Sequence, residues 1–397
     1  MNPQSHPGSS FYGLGIAPKI LEILERLKFK VPTPIQFKAI PVAIEGKDII
    51  GVAQTGTGKT LAFGIPMIQR LANMYGRGLV LVPTRELALQ VDESLRKISS
   101  SFAIKTAVLI GGASMYNQVG VLRRNPRLII ATPGRLIDHL GQGTLRLNDI
   151  KIFVLDEADR MLDMGFAPQI ERVLAHLPTE RQTMLFSATI PEKIVRIAAR
   201  HMKLPVSVEI AKSGTAAEKI VQELFIIKKD EKPPLLFKLL EQYRGTVLLF
   251  SRTKRGASRI TAGLRSAGYT AAEIHSNRSL SQRREALDGF KSGRYRILVA
   301  TDIAARGIDV KGIELVINYD LPEDAENYIH RIGRTGRAGE EGRAISFATP
   351  DQRGDVRNIE KLMRNPLPIA KHPEISGSSF YQPARPVSTK RKRGFYR

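Results

Sequence analysis

Short, nearly continuous apolar runs rich in β-branched residues recur along the chain, separated by longer stretches with helical periodicity. In the first half the runs are Asp48-Ile49-Ile50-Gly51-Val52, Gly78-Leu79-Val80-Leu81-Val82, Leu128-Ile129-Ile130-Ala131, Ile152-Phe153-Val154-Leu155 and Thr183-Met184-Leu185-Phe186. Runs of this kind suit strands covered on both faces. The intervening segments, such as Leu61 to Leu71 and Arg85 to Ile98, then become the helical crossovers of a parallel sheet. The rhythm restarts with Val247-Leu248-Leu249-Phe250, Ile297-Leu298-Val299-Ala300, Leu315-Val316-Ile317-Asn318 and Ala344-Ile345-Ser346-Phe347. The pattern predicts an α/β protein of two tandem parallel-sheet domains.

Between the two series lies the small, polar stretch Ala211 to Ala216, which reads as a linker. The expected organisation is a disordered N-terminus over 1–10, a first domain over 11–210, a linker over 211–219, a second domain over 220–367 and a basic tail over 368–397. Past Pro368 the regular pattern stops, and the predicted disordered tail ends in Lys390-Arg391-Lys392-Arg393-Gly394-Phe395-Tyr396-Arg397. Basic residues beside two aromatics suit loose RNA attachment, and equally a solvated terminus.

At 397 residues the chain has room for two cores. Its 61 Lys plus Arg against 38 Asp plus Glu leave a formal charge of +23, which favours a polyanionic partner. It contains no cysteine, so disulfides, thiolate metal sites and cysteine nucleophiles are excluded. The first residues lack a basic start followed by an apolar run, and no stretch is long and apolar enough to span a bilayer. A cytoplasmic protein without a membrane partner is expected.

Candidate chemistry sits at strand ends. Ala53-Gln54-Thr55-Gly56-Thr57-Gly58-Lys59-Thr60 follows the first strand and opens a helix, the context of a phosphate-binding loop, although Ala53 stands where the usual pattern has glycine. Backbone N–H groups would wrap the phosphates, Lys59 would reach the terminal ones, and Thr60 would ligate Mg²⁺. Asp156 ends another strand and is placed to hold Mg²⁺, while Glu157 can orient or deprotonate a water. Downstream, His330-Arg331-Ile332-Gly333-Arg334-Thr335-Gly336-Arg337 supplies Arg334 and Arg337, two candidate arginine fingers. Lysine loop and acidic cluster stand in one half and the fingers in the other, so ATP hydrolysis is expected to need both.

These residues resemble the DEAD-box family of ATP-dependent RNA helicases, whose name is the tetrapeptide Asp156-Glu157-Ala158-Asp159. The resemblance runs from about Phe11 to about Met363, with the motifs in family order, and among bacterial members RhlE-type enzymes look most alike. It implies two RecA-like domains and specificity for ATP, with Gln36 of Pro32-Thr33-Pro34-Ile35-Gln36 reading adenine and Phe11 and Phe29 as nearby aromatics. Lys28 stands where the family has a small residue. It implies RNA contacts from Pro83, Thr84 and Arg85, from Gly111 and Gly112, and from Thr132 and Arg135 in the first domain. In the second, Arg252, Thr253, Arg283, Thr301 and Asp302 would face RNA, while Gly307 and Asp309 would approach ATP. Leu280 replaces the usual Gln before Arg283.

By the same resemblance Ser187 and Thr189 couple hydrolysis to unwinding, and His330 and Arg331 link the hydrolysis site to the domain interface. Hydroxyls, glycine N–H groups and arginines at strand ends suit phosphates and 2′-hydroxyls, so RNA binding independent of sequence is expected. A monomer suffices for the implied mechanism: ATP and single-stranded RNA close the domains on a bent strand that cannot remain in a duplex. An ATP-timed assembly clamp and a DNA helicase are the alternatives, and ribonucleoprotein or ribosome-assembly partners stay open.

Overall fold

The computed structural model describes residues 10–54, 56–210, 220–302, 310, 312–336, 342–375 and 377–380. Two compact units form, each around its own parallel sheet. The first sheet contains β1 (Ile49–Val52), β2 (Arg77–Leu81), β3 (Thr106–Leu109), β4 (Leu128–Ala131), β5 (Ile150–Asp156), β6 (Gln182–Ser187) and β7 (Val206–Glu209). Their spatial order is β3-β4-β2-β5-β6-β1-β7. The helices of this half are α1 (Pro18–Arg26), α2 (Pro34–Ile44), α3 (Lys59–Ala72), α4 (Arg85–Ser99), α5 (Met115–Leu122), α6 (Pro133–Gly141), α7 (Ala158–Asp163), α8 (Ala167–Ala175) and α9 (Glu192–His201).

The second sheet contains β8 (Ile220–Ile226), β9 (Val247–Phe250), β10 (Ala271–Ile274), β11 (Ile297–Ala300), β12 (Leu315–Asn318) and β13 (Gly342–Ala348), in the order β10-β11-β9-β12-β13-β8. The helices of this half of the sequence are α10 (Lys232–Gln242), α11 (Lys254–Ser266), α12 (Leu280–Lys291), α13 (Ala325–Ile332) and α14 (Arg353–Met363).

The apolar runs are the inner strands: β2, β4, β5, β6, β9, β11, β12 and β13 are buried along almost their whole length. The first sheet therefore has an apolar cluster on each face, as a parallel sheet wrapped by crossovers requires, and a further cluster packs on the second sheet. Four strands lay outside the predicted runs, namely β3, β7, β8 and β10, and all four are the outer strands of their sheets. In β3, β7 and β8 covered and uncovered positions mix, and β10 reads Ala-Ala-Glu-Ile, so none carries an unbroken bulky run.

Two expectations shift. The stretch expected to begin the tail lies against the edge of the second sheet: Leu224 N–H donates to Pro368 O at 2.8 Å, Ala370 N–H to Leu224 O at 2.8 Å, and Ser378 N–H to Ile226 O at 2.7 Å. Ordered chain thus continues past 367, because β8 offers an unpaired edge and Ala370 and Ile375 pack on the apolar cluster beneath it. Phe11, expected beside adenine, is 3 % exposed and belongs to the core of the first unit with Leu14 and Ile16, since a bare aromatic ring is better buried than left at a rim.

Candidate nucleotide and RNA sites

β1 leads directly into the phosphate-loop sequence, and α3 begins at Lys59. Gly56 and Gly58 have φ of +86° and +88°, left-handed backbone that glycine adopts without strain. At Gly58 space adds a second reason, because a Cβ would lie 2.4 Å from Gln36 Nε2. Gln36 Nε2 donates to Gly58 O at 2.9 Å, while its Oε1 accepts from Thr33 N–H at 2.9 Å. The residue expected to read adenine therefore also ties the start of α2 to the phosphate loop. Lys59 is buried, and its Nζ donates to Ala53 O at 2.9 Å, folded into the cradle it would share with phosphate oxygens. Thr57 Oγ1 closes a turn onto Gln54 O at 2.6 Å. Phe29 is 43 % exposed and follows Lys28, whose φ is +62°. Its ring is available to a ligand, whereas that of Phe11 is not.

Asp156 closes β5 and is 2 % exposed. Burial pushes its carboxyl up to about 6, with Glu157 adding to the rise and Lys59 and Arg160 opposing it. Glu157 sits at φ +54° as the residue before α7, and its Oε2 accepts from Arg160 Nη1 at 2.6 Å, both side chains buried. Asp159 gathers the next strand end. Its Oδ2 accepts from Ala188 N–H at 3.0 Å, Thr189 N–H at 2.9 Å and Thr189 Oγ1 at 3.0 Å, while Asp159 N–H donates to Ser187 Oγ at 3.2 Å. Ser187 and Thr189 are thus brought together with the acidic loop. A hydroxyl at Thr60 and a carboxylate at Asp156 form a hard oxygen donor set, which fits Mg²⁺.

A second constellation occupies the ends of β2, β3 and β4. Thr84 caps α4 by accepting from Leu87 N–H at 3.2 Å, and the Arg85 guanidinium lies along Gly111 and Gly112. A Cβ on Gly112 would come within 2.2 Å of Arg85 Nη1. Burial lowers the pKa of Arg85 from its ordinary value. Arg135 Nη1 donates to Ala113 O at 2.9 Å, and Thr132 precedes α6. Pro83, Thr84, Arg85, Gly111, Gly112, Thr132 and Arg135 form one basic, glycine-lined neighbourhood in the first unit.

In the second unit Phe250 ends β9, and Thr253 caps α11 by accepting from Gly256 N–H at 2.9 Å. Arg252 is held through its backbone: its N–H donates to Asp320 Oδ2 at 3.1 Å, beside Ser251 Oγ at 3.2 Å. Lys232 Nζ meets the other oxygen of Asp320 at 2.9 Å. Burial alone would raise the Asp320 carboxyl; Lys232 and the bonds from Arg252 and Ser251 outweigh it and hold the pKa low. Thr301 follows β11, and Asp302 beside it is engaged by Arg331 through Nε at 2.5 Å and Nη2 at 2.7 Å. Arg331 also donates to Asn318 Oδ1 at 3.2 Å and Asp320 O at 2.6 Å. The carboxylate of Asp302 therefore serves an internal ion pair. Arg283 lies in the first turn of α12, next to the capping box of Ser279 and Gln282. His330 ends α13 with Arg331, and Arg334 is buried, its Nε donating to His330 O at 3.2 Å. Thr55, Gly307, Asp309 and Arg337 lie outside the described residues, as does the end of the tail.

Several supporting residues carried no signal in the sequence: Arg160, Gln118, His139, Lys232 and Asp320. Each is a single polar side chain that belongs to no glycine-rich or acidic motif, and only its partners in the folded chain give it a role.

The DEAD/DEAH box helicase family matches residues 33–197, and the helicase conserved C-terminal domain matches residues 231–339. The DEAD-box ATP-dependent RNA helicase CshA of Geobacillus kaustophilus is 43 % identical over 370 residues, covering 92 % of this chain and 79 % of that protein. The ATP-dependent RNA helicase CshA of Listeria monocytogenes is 44 % identical over 361 residues, covering 90 % of this chain and 69 % of that one. Among solved structures, S. cerevisiae Dbp5 bound to RNA and ADP BeF3 is similar with TM-score 0.80 and 31 % identity, covering 90 % of this chain and 93 % of that one. Mss116p bound to ssRNA and AMP-PNP gives TM-score 0.82 and 29 % identity, covering 91 % and 78 %.

Proposed function

Because this chain belongs to the DEAD-box ATP-dependent RNA helicases, we propose that it grips the RNA backbone without reading sequence and uses ATP turnover to separate short duplexes or remodel RNA–protein complexes. The helicase activity follows from the family; the residue roles are our assignment. Lys59 and the phosphate-loop N–H groups bind the triphosphate, with Gln36 and Phe29 on the adenine side. Thr60 and Asp156 would hold Mg²⁺, which when bound offsets phosphate charge. Glu157 orients the attacking water and accepts its proton. Arg85, Arg135 and the N–H groups of Gly111 and Gly112 contact RNA phosphates, as do Arg252 and Thr253.

The residues assigned to turnover come from both halves of the sequence: Lys59, Asp156 and Glu157 from the first, and His330, Arg334 and Arg337 from the second. A single observation supports the coupling of hydrolysis to RNA most directly: Asp159, in the acidic loop, accepts hydrogen bonds from both the backbone and the hydroxyl of Thr189. The likeness to RhlE-type enzymes expected from the sequence gives way to a CshA-like assignment, supported by 43 and 44 % identity over most of the chain. Among the described residues no helix is long and apolar enough to cross a membrane.

The test is strand separation of a short RNA duplex and its DNA counterpart, with ATP and with a non-hydrolysable analogue. ATP-dependent separation of the RNA duplex, and ATPase stimulated by RNA well above DNA, are expected. Equal stimulation by DNA would overturn the RNA assignment.

A further inference from the structure

Helix α5 covers itself in an inverted way. Its single buried side chain is Gln118, whereas Val121 on the same helix is exposed. An amphipathic helix ordinarily covers its aliphatic residues and leaves carboxamides in water. Burying a carboxamide is costly unless its donors and acceptor are met. Here they are met by one short stretch of backbone: Oε1 accepts from Ile110 N–H at 3.2 Å, and Nε2 donates to Ile110 O at 3.1 Å and to Ala113 O at 3.4 Å. Ile110 and Ala113 bracket Gly111 and Gly112. A two-glycine loop has more conformational freedom to lose than any other two residues, and Gln118 holds it at both ends.

Behind Gln118 stands His139 of α6, fully buried, with Nε2 3.4 Å from Gln118 Oε1 and Nδ1 2.8 Å from Thr144 Oγ1. Oε1 can only accept, so a bond at Nε2 has His139 as its donor, while Thr144 Oγ1, next to Nδ1, also reaches His139 O at 3.1 Å. The histidine selects the rotamer in which the Gln118 oxygen faces Ile110 N–H. From the other side Arg135 donates to Ala113 O at 2.9 Å and the Arg85 guanidinium covers both glycines.

We propose that Gln118, oriented by His139, is a positioning residue for RNA binding: it presets the Gly111–Gly112 backbone and the Arg85 and Arg135 guanidiniums around it to receive RNA phosphates. This rests on the RNA-contact reading of that neighbourhood. A merely structural glutamine would change stability alone; a positioning glutamine changes the RNA dependence of ATPase.

The test uses the full chain, a single-stranded RNA oligonucleotide, and ATPase followed against RNA concentration, with thermal melting alongside. In Gln118→Leu, of similar size, the half-saturating RNA concentration should rise about tenfold, the equivalent of one or two net hydrogen bonds, with turnover recovered at saturating RNA. Gln118→Glu keeps the shape and replaces the Nε2 donor by an oxygen facing Ile110 O, so it should weaken RNA at least as much; it also serves as the second variant should leucine unfold the helix. His139→Gln should give a smaller rise in the same direction. Arg85→Ala is the control. If Arg85→Ala weakens RNA and both folded Gln118 variants leave half-saturation unchanged, the proposal is overturned while the RNA-site reading stands. If Arg85→Ala has no effect either, the RNA-site reading falls and takes the proposal with it.

Discussion

Removal of the Thr189 hydroxyl should loosen the joint between the acidic loop and the strand end that follows it. Asp159 Oδ2 accepts from two backbone N–H groups and one hydroxyl within 3.0 Å, and the carboxylate is buried. A hydrogen bond to a charged group is worth about 1.5 to 3 kcal/mol. Thr189→Val keeps the shape and deletes one such bond, so the loop should open more easily by about 1.5 kcal/mol, the lower end, because the two backbone donors remain. Asp159→Asn keeps an oxygen but loses the charge shared by all the donors, and about 2 to 3 kcal/mol is expected.

Amide hydrogen exchange at Ala188 and Thr189 reads this locally, at about tenfold in rate per 1.4 kcal/mol. Exchange should therefore quicken about tenfold in Thr189→Val, and on the order of thirtyfold or more in Asp159→Asn. The double variant should fall short of the sum by about 1 kcal/mol, since one change deletes the bond that the other weakens. If the carboxylate carries the coupling between hydrolysis and RNA, strand separation should drop more steeply than RNA-stimulated ATPase in each variant. Unchanged exchange at Thr189, strict additivity, or parallel loss of both activities would refute the reasoning.

Glu157→Gln preserves the side-chain volume and removes the proton acceptor, so turnover should fall by at least two orders of magnitude while ATP-dependent RNA retention on a filter survives; normal hydrolysis would end its assignment. Gly58→Ala would place a methyl 2.4 Å from Gln36 Nε2 at φ +88°, and the half-saturating ATP concentration should rise by tenfold or more, whereas unaltered ATP binding would show the loop to be pliant. The Asp156 carboxyl, raised from 3.8 to about 6 in the folded protein, favours its protonated form there. Its stabilising effect is complete below about pH 4 and is lost as pH rises through 6, a swing on the order of 3 kcal/mol as an upper figure. Asp156→Asn should accordingly be more resistant to denaturant than the native chain at pH 7 and equal to it at pH 4, and equal resistance at both would refute the burial argument. Truncation before Pro368 removes the backbone bonds to Leu224 and Ile226 and should lower the melting temperature by several degrees with added self-association from the bared edge; identical melting would mean the strap contributes nothing.

How much could be seen in the chain alone depended on how local each feature is. The phosphate loop, the acidic tetrapeptide and the capped helices at Thr84 and Thr253 each occupy a strand end, a turn and a helix start. Such a unit is specified by neighbouring residues: glycine where φ is positive, a hydroxyl where N–H groups need an acceptor, apolar runs where both faces are covered. Inner strands were legible for that reason. The outer strands β3, β7 and β8 were not, because they are covered incompletely and need no unbroken apolar run, and β10, though covered, is built of two alanines, a glutamate and a single isoleucine.

Tertiary structure alone decided the rest. Only strand order brings Ile110, Gln118 and His139 together, sets Asp320 between Lys232 and Arg252, and gives Asp302 to Arg331. A polar side chain in a helix or loop has the same appearance in sequence whether it meets water or a partner far along the chain; burial supplies the difference, by making an unmet hydrogen bond too costly to leave. Burial also turned Phe11 from an expected ligand contact into core, and drew the segment after Pro368 onto a sheet edge no local pattern announced.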